Sequence, residues 1–142
     1  MVKGGRILVA VDGSEGALRA LDFGRDLAKA FGSRLTLLHV IEPFPEGTLG
    51  SLEPMLSQQY AKRMKQATDY LGMLVDEYGL RGAEQVIEMG RPGDVICREA
   101  AERSVDLIVL GWDGHRPGAR LLIGSVGAHV VNAASCSVTV VH

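Results

Sequence analysis

A glycine-rich segment between a short apolar run and a helix-like pattern has the clearest chemical signature in this chain. The run from 107 to 110 ends at Gly111, glycines follow at Gly114 and Gly118, and the segment closes at Gly124-Ser125. A short apolar run bounded by glycine is typical of a buried strand. At a helix N-terminus, unpaired backbone N–H groups and the positive end of the helix dipole both attract anions. The order of strand, glycine loop and helix therefore predicts a phosphate-binding site.

A few charged residues could complete such a site. Asp12 directly follows the apolar run from 7 to 11 and precedes Gly13, so it is either a turn residue or a ligand contact. Arg116 and Arg120 lie in the glycine loop, as solvated charges or as partners that neutralise phosphate. His39 and His129 have no Cys, Asp or Glu at metal-ligand spacing, and we interpret them as packing or surface residues.

The bulk composition indicates an ordinary globular protein. The chain has 142 residues, 46% hydrophobic and 23% charged, which predicts one domain over 1–142. A net charge of −2 gives no basic signature for nucleic acid. Cys97 and Cys136 are far apart in sequence and are expected to be reduced and buried. We find no signal-peptide pattern and no apolar run of transmembrane length, so we expect a cytoplasmic protein with no membrane partner.

Apolar runs and helical periodicities alternate along the chain. Ser14 is a predicted N-cap and Gly32 a predicted C-cap for the first helix, whose apolar stripe includes Phe31. The stripe of the second helix includes Met64, and the inward residues of the last helix include Val131. The predicted strands are 7–11, 35–41, 83–89, 107–110 and 138–141, and the predicted helices are 14–31, 54–78, 94–103 and 124–134.

This alternation predicts an α/β fold with a single doubly wound parallel five-stranded sheet and helices on both faces. The expected strand order is 3-2-1-4-5. In such a sheet the chain reverses direction between strands 1 and 4, and ligands bind there at the carboxyl ends of the strands. Asp12 and Gly111 end these two strands, so the fold is expected to bring Asp12 beside the glycine loop.

The glycine segment also fits a family pattern. Gly111-x2-Gly114-x9-Gly124-Ser125 matches G-x2-G-x9-G-[ST] and resembles the ATP-binding class of the universal stress protein family. The segments 7–14, 37–40, 90–92 and 106–111 are similar to other segments of that family, in the same order. The resemblance covers nearly the whole chain.

The resemblance implies an ATP site. Adenine would lie near Val40, whose backbone would hydrogen-bond it, and Asp12, preceded by Val11, would meet the ribose or a Mg²⁺ ion bound with the phosphates. The phosphate path would be lined by Gly111, Gly114, Gly124, Ser125 and Val126. Arg120 would neutralise phosphate charge. Trp112-Asp113 departs from the smaller or hydroxyl-bearing residues usual in the family.

Efficient catalysis is not expected. The sequence lacks a G-x-S-x-G elbow and a Walker lysine signature, and no base is evident beside a γ-phosphate. The leading hypothesis is therefore a nucleotide-responsive stress regulator with at most slow ATP hydrolysis. The alternative hypothesis is a nucleotide-free dimeric stress-signalling or interaction module. A receiver domain is disfavoured, because Gly90-Arg91 follows strand 3 where a phosphorylatable Asp would be needed.

The strand at 138–141 predicts self-association. It is short, mostly apolar and expected at the sheet edge, where unpaired backbone groups invite another strand. Pairing with a second copy across a two-fold axis is the simplest arrangement, and the family resemblance implies the same homodimer contact.

Overall fold

The structure is a computed structural model that describes residues 4–45, 53–112 and 124–142. Five strands form one sheet in the order β3-β2-β1-β4-β5, and every neighbouring pair is parallel. This confirms the predicted sheet and strand order. The strands are β1 (Arg6–Ala10), β2 (Arg34–Ile41), β3 (Glu84–Met89), β4 (Leu107–Gly111) and β5 (Ser137–Val141).

Helices cover both faces of the sheet, as predicted. Ile7 and Val9 of β1 pack into one apolar cluster with Leu21 and Leu71, whereas Leu8 packs into a second cluster with Ile96. Because successive side chains of a strand point to opposite faces, these clusters are the two layers of the core. The helices are α1 (Glu15–Phe31) and α2 (Glu53–Glu77) on one face, and α3 (Pro92–Glu102) and α4 (Ser125–Ala133) on the other.

The predicted caps of α1 are present. The Ala17 backbone N–H donates to the Ser14 hydroxyl oxygen over 3.1 Å, which satisfies one of the free donors of the first turn. Gly32 follows the helix at φ 64°, a left-handed conformation in which glycine has no Cβ penalty. The N-cap places the start of α1 directly after β1.

Three helical positions predicted to face inward are exposed. Phe31 is 38%, Met64 42% and Val131 51% exposed. The prediction for Val131 is wrong because Val131 follows the fully buried Val130. Successive side chains differ in direction by about 100° around the helix axis, so Val131 points away from the core. Met64 lies in the N-terminal half of α2. The helix is longer than the strands it covers, and this half extends past them.

Two further features qualify the sequence interpretation. Cys97 and Cys136 are free but only half-buried, and burial raises the pKa of both thiols.

Glu99 of α3 is a charged residue that is buried, with its carboxylate side chain only 4% exposed. It accepts a hydrogen bond of 2.7 Å from Arg103, which also pairs with Glu84 and so joins α3 to β3. Within the described helices, none is long and apolar enough to cross a membrane.

Candidate functional site

A cavity of about 290 Å³ lies where β1 and β4 end side by side. Val9 and Val109 are in register, so the residues after each strand emerge at the same edge of the sheet. Ser125 is not among the residues that line the cavity, and Gly114 and Arg120 fall outside the described residues. The lining does contain six of the predicted site residues, Val11, Asp12, Val40, Gly111, Gly124 and Val126.

Asp12 is held by a turn at the start of α1. Its Oδ1 accepts hydrogen bonds from the Ser14 backbone N–H at 3.0 Å and from the Ser14 hydroxyl at 2.6 Å. The same hydroxyl oxygen caps α1, so the carboxylate is oriented by the helix terminus. Its other oxygen, Oδ2, accepts no hydrogen bond from the described part of the chain. Asp12 therefore offers one oriented oxygen to a ligand in the cavity.

Gly111 is constrained by packing as well as by the cavity. A Cβ atom at this position would lie 2.3 Å from the carbonyl group of Gly16 and 2.7 Å from the Ala17 nitrogen. Both contacts are backbone atoms of α1, which cannot rotate away as a side chain could. Glycine at the end of β4 thus allows the N-terminus of α1 to lie directly against the strand that borders the cavity.

The N-terminus of α4 opens into the same cavity. Gly124 is the N-cap and provides no side-chain hydrogen bond, and the first intrahelical bond joins the Ala128 N–H to the Gly124 carbonyl at 2.9 Å. The amides of the preceding turn therefore have no partner within the helix. Gly124, Val126 and Gly127 all line the cavity. This arrangement is the anion-attracting end of a helix.

His39 is a cavity residue that the sequence interpretation missed. Its Nδ1 lies 2.7 Å from the Val11 carbonyl oxygen, which can only accept, so Nδ1 carries the proton and donates. A histidine within an apolar strand resembles a packing residue, and only the observed lining shows that it belongs to the site. Its spacing from Asp12 gave no signal.

The segment after β2 is tied to α2 beside the cavity. Arg63 donates to the Glu42 carbonyl at 2.9 Å and lies 3.9 Å from the centre of the Phe44 ring. The Phe44 N–H donates to the Tyr60 hydroxyl over 2.8 Å. Glu42 lines the cavity at the ends of β1 and β4. It also lines an adjoining hollow of about 350 Å³, which Arg63 borders. The wall next to Val40 is therefore fixed from α2.

Tyr70 connects that hollow to the turn after β1. The Gly13 N–H donates to its hydroxyl over 3.1 Å. Burial raises the pKa of Tyr70, the bond from Gly13 lowers it, and the nearby Asp12 charge raises it again.

Trp112 borders the cavity on the opposite side, where its ring stacks on His142 with centroids 4.4 Å apart.

The charge of the described lining is acidic. Asp12 and Glu42 are its carboxylates, and no Lys or Arg is among the described residues that line the main cavity. A phosphate placed there would be attracted by the N-terminus of α4 and repelled by Asp12. No group of three metal-ligating side chains occurs in residues 4–45, 53–112 and 124–142. A cation in this cavity would need oxygen ligands from the bound molecule as well.

Comparison with known proteins gives one consistent family. The model of the universal stress protein family matches residues 4–142. A universal stress protein of Thermus aquaticus is 33% identical over 135 residues, which cover 95% of this chain and 96% of the relative. Another from Methanocaldococcus jannaschii is 30% identical over 139 residues, covering 96% of this chain and 81% of that protein.

Solved structures agree with these relatives. UspA from Lactobacillus plantarum superposes with a TM-score of 0.87 at 28% identity, with complete coverage of both chains. A universal stress protein in complex with cAMP superposes with a TM-score of 0.65 at 26% identity, over 97% of each chain.

Proposed function

The chain belongs to the universal stress protein family, and we propose that it binds ATP in the cavity between β1 and β4. In this proposal the protein is a dimeric, nucleotide-responsive stress regulator with at most slow ATP hydrolysis. One folded unit over 1–142 contains the site.

The uncapped N-terminus of α4 is the observation that carries this proposal. The first amides of α4, which have no partner within the helix, and Asp12 meet at one cavity beyond the ends of β1 and β4. A nucleotide matches this arrangement, because its phosphates need N–H donors and its ribose hydroxyls need an acceptor such as the free Asp12 oxygen. Gly111, Gly124, Ser125 and Val126 are the described residues assigned to the phosphate path.

Adenine is assigned to the end of β2. Val40 lines the cavity there, and the fixed wall of Glu42 and Phe44 follows it. A structurally similar universal stress protein binds cAMP, which also contains adenine. Gly114 and Arg120 are assigned to the phosphates by the family pattern alone.

Mg²⁺ would resolve the charge conflict in the cavity. Asp12 and the phosphates are both negative, and as the alternative to a ribose contact Asp12 would hold a divalent cation that is bound with the phosphates. Mg²⁺ commonly binds through one carboxylate together with substrate phosphates and waters, so a lone carboxylate suits it. The ion would neutralise the phosphates, and the chain's own groups would hold the nucleotide around it.

A homodimer through β5 is part of the same proposal. β5 ends the sheet order, and its residues 138–141 are half-buried in the single chain. The Trp112 N–H donates to the Val141 carbonyl at 2.7 Å, so the residue after β4 is tied to this edge strand. A second β5 strand would satisfy the backbone groups that face away from β4.

A nucleotide-free interaction module is the second candidate, and Trp112 favours it. Its indole is held beside the cavity by the stack with His142, where the family usually has a smaller residue. A large ring fixed at the rim would narrow the entrance for a nucleotide.

Substituting Gly124→Val tests the nucleotide proposal. Gly124 lines the cavity and has φ −62° and ψ 164°, which valine can adopt, so the added side chain would occupy space at the phosphate path. We expect MgATP affinity, measured by titration calorimetry, to fall at least about tenfold, which is about 1.4 kcal/mol. The matched control is Ala133→Val, on the exposed last residue of α4, which should bind as the unmodified protein does.

Two results would contradict the proposal. One is unchanged MgATP affinity in a folded Gly124→Val protein. The other is a freshly purified protein that releases no nucleotide on denaturation and gives no heat with MgATP, which would favour the interaction module. Titration with AMP in parallel tells whether the β- and γ-phosphates contribute to binding.

A further inference from the structure

A second polar cavity lies at the opposite end of the sheet. It encloses about 330 Å³ and is formed by the C-terminal end of α1, the start of β2 and the loop from α2 to β3. This volume falls at the lower end of the range for small-molecule sites, roughly 300–1,000 Å³. The strands of a parallel sheet separate this end from the nucleotide cavity, so the two do not share residues.

The charged residues of this cavity are all cationic. Arg25, Lys29, Arg34 and Arg81 line it, and no carboxylate does. Arg25 is paired with Asp22 at 3.0 Å and lies over the Tyr78 ring. Lys29, Arg34 and Arg81 form no ion pair with any described residue, and all three are exposed. Three unpaired positive charges therefore meet around one concave surface.

Two buried polar atoms without hydrogen-bond partners belong to residues that line this cavity. They are Arg25 Nε and Ser33 Oγ, and no other buried side-chain nitrogen or oxygen in the described segments is unpaired. Arg25 Nε lies 3.5 Å from Asp26 Oδ1, an ion-pair distance without hydrogen-bond geometry. Neither atom has appreciable accessible surface, so both lie in the packed wall behind the cations and are not reached from the cavity.

Helix dipoles explain part of this charge. α1 and α2 both end beside the cavity, and Lys29 in the last turn of α1 interacts favourably with the negative helix end. Arg34 lies at the start of β2, outside both helices, so this role does not account for its position at the cavity.

We propose that this cavity is a second anion site, which binds a small phosphate-bearing molecule with at least two negative charges. Guanidinium groups match phosphate oxygens with paired N–H donors, and Arg34 and Arg81 are free to provide them. The cations converge on one small cavity and form no extended stripe, and the chain is acidic overall, which favours a small anion over nucleic acid.

Inorganic pyrophosphate is the probe for this site. Its binding is measured by the shifts of the ¹⁵N amide resonances of the full chain. We expect saturable shifts at Ser33, Gly79 and Ala83. Joint substitution of Arg34→Glu and Arg81→Glu should weaken this binding at least about tenfold. Gly124→Val should leave these shifts unchanged.

Lys62→Glu is the matched charge control. Lys62 is exposed on α2, about 25 Å along the helix from Gly79, and its reversal should alter pyrophosphate affinity less than twofold. The proposal is overturned if the shifts do not saturate, if they fall only at 125–127, or if the double variant binds as well as the control. It is also overturned if a single-stranded oligonucleotide saturates these residues and pyrophosphate does not.

Discussion

At the scale of single residues, Gly111 both packs against α1 and lines the cavity, and a Cβ atom there would collide with the backbone of α1. A methyl group there would meet the backbone of α1 at 2.3 Å, whereas a Cβ at Gly72 of α2 would meet nothing within 4 Å. We expect Gly111→Ala to lower the free energy of unfolding by about 2–3 kcal/mol through overpacking. The control Gly72→Ala should raise it by about 0.5–1 kcal/mol, because alanine is the better helix former.

Denaturant unfolding of the two variants measures this difference. Equal stabilities for Gly111→Ala and Gly72→Ala would show that β4 and α1 can separate without loss, and the close approach of these elements would then be unimportant for stability.

Tyr70 predicts a pH dependence on the alkaline side. Burial, the largest influence, raises its pKa above the ordinary value of 10.0. The folded chain therefore holds this proton more tightly than the unfolded chain does. The resulting stabilisation is complete below about pH 10 and is lost as the pH rises through the pKa of folded Tyr70.

Ultraviolet titration of the tyrosinate band checks the direction of this shift. The absorbance component that Tyr70→Phe removes should have its midpoint above pH 10.0, and thermal stability should fall less steeply in the variant over the same alkaline range. A component with its midpoint below that value would contradict the environment described for Tyr70.

At the scale of elements, α3 and β3 are joined by the buried Glu99 through Arg103. Removing the cation would leave a carboxylate that is 4% exposed without its closest partner. We expect Arg103→Gln to reduce the free energy of unfolding by about 3 kcal/mol. The control Arg98→Gln should change it by less than about 0.5 kcal/mol, since Arg98 is exposed and lies 3.8–3.9 Å from its carboxylates.

Chemical unfolding with both variants distinguishes a buried ion pair from surface charge. A similar small loss in the two proteins would mean that Glu99 finds water or another donor when Arg103 is removed.

Strand positions were predictable because the sheet is buried on both faces. The run 7–11 is apolar throughout, and 35–41 is apolar except for Thr36 and His39, as parallel strands covered on both faces require. The alternation of strands and helices then predicted the order β3-β2-β1-β4-β5. Helix faces were less predictable. Periodicity shows which residues share a side of α2, but it does not show that a helix of about 37 Å extends past strands of about 20–26 Å, which leaves Met64 exposed.

The residues of the nucleotide cavity were predictable to the extent that they follow strands or precede a helix. Val11, Asp12, Val40, Gly111, Gly124 and Val126 were expected on those grounds or from the family pattern, and they line one cavity. Their role in binding stays a prediction. His39 and Glu42 were missed, because contact across neighbouring strands leaves no spacing in the chain. The basic cavity was missed for the same reason, since Arg25, Arg34 and Arg81 come from three separate elements.

At the scale of the whole molecule, the two edges of the sheet predict how it assembles. If β5 pairs with a second β5, a Lys at Thr139 would place like charges close together across the two-fold axis and would oppose association. We expect Thr139→Lys to be monomeric by analytical ultracentrifugation. Gln85→Lys, on the exposed edge strand β3, is the matched control and should remain dimeric.

A dimeric Thr139→Lys protein would place the interface elsewhere. Loss of the dimer in both variants would point to charge in general and not to β5.

The stack of Trp112 on His142 gives the molecule an optical signal of its own. Trp112 is the only tryptophan in the chain, so all indole emission comes from one ring. That ring borders the nucleotide cavity, and its backbone N–H is bonded to Val141 of the edge strand. We therefore expect fluorescence intensity to respond to a molecule that enters the cavity, and fluorescence anisotropy to respond to association through the edge strand. Both can be followed in one unlabelled sample.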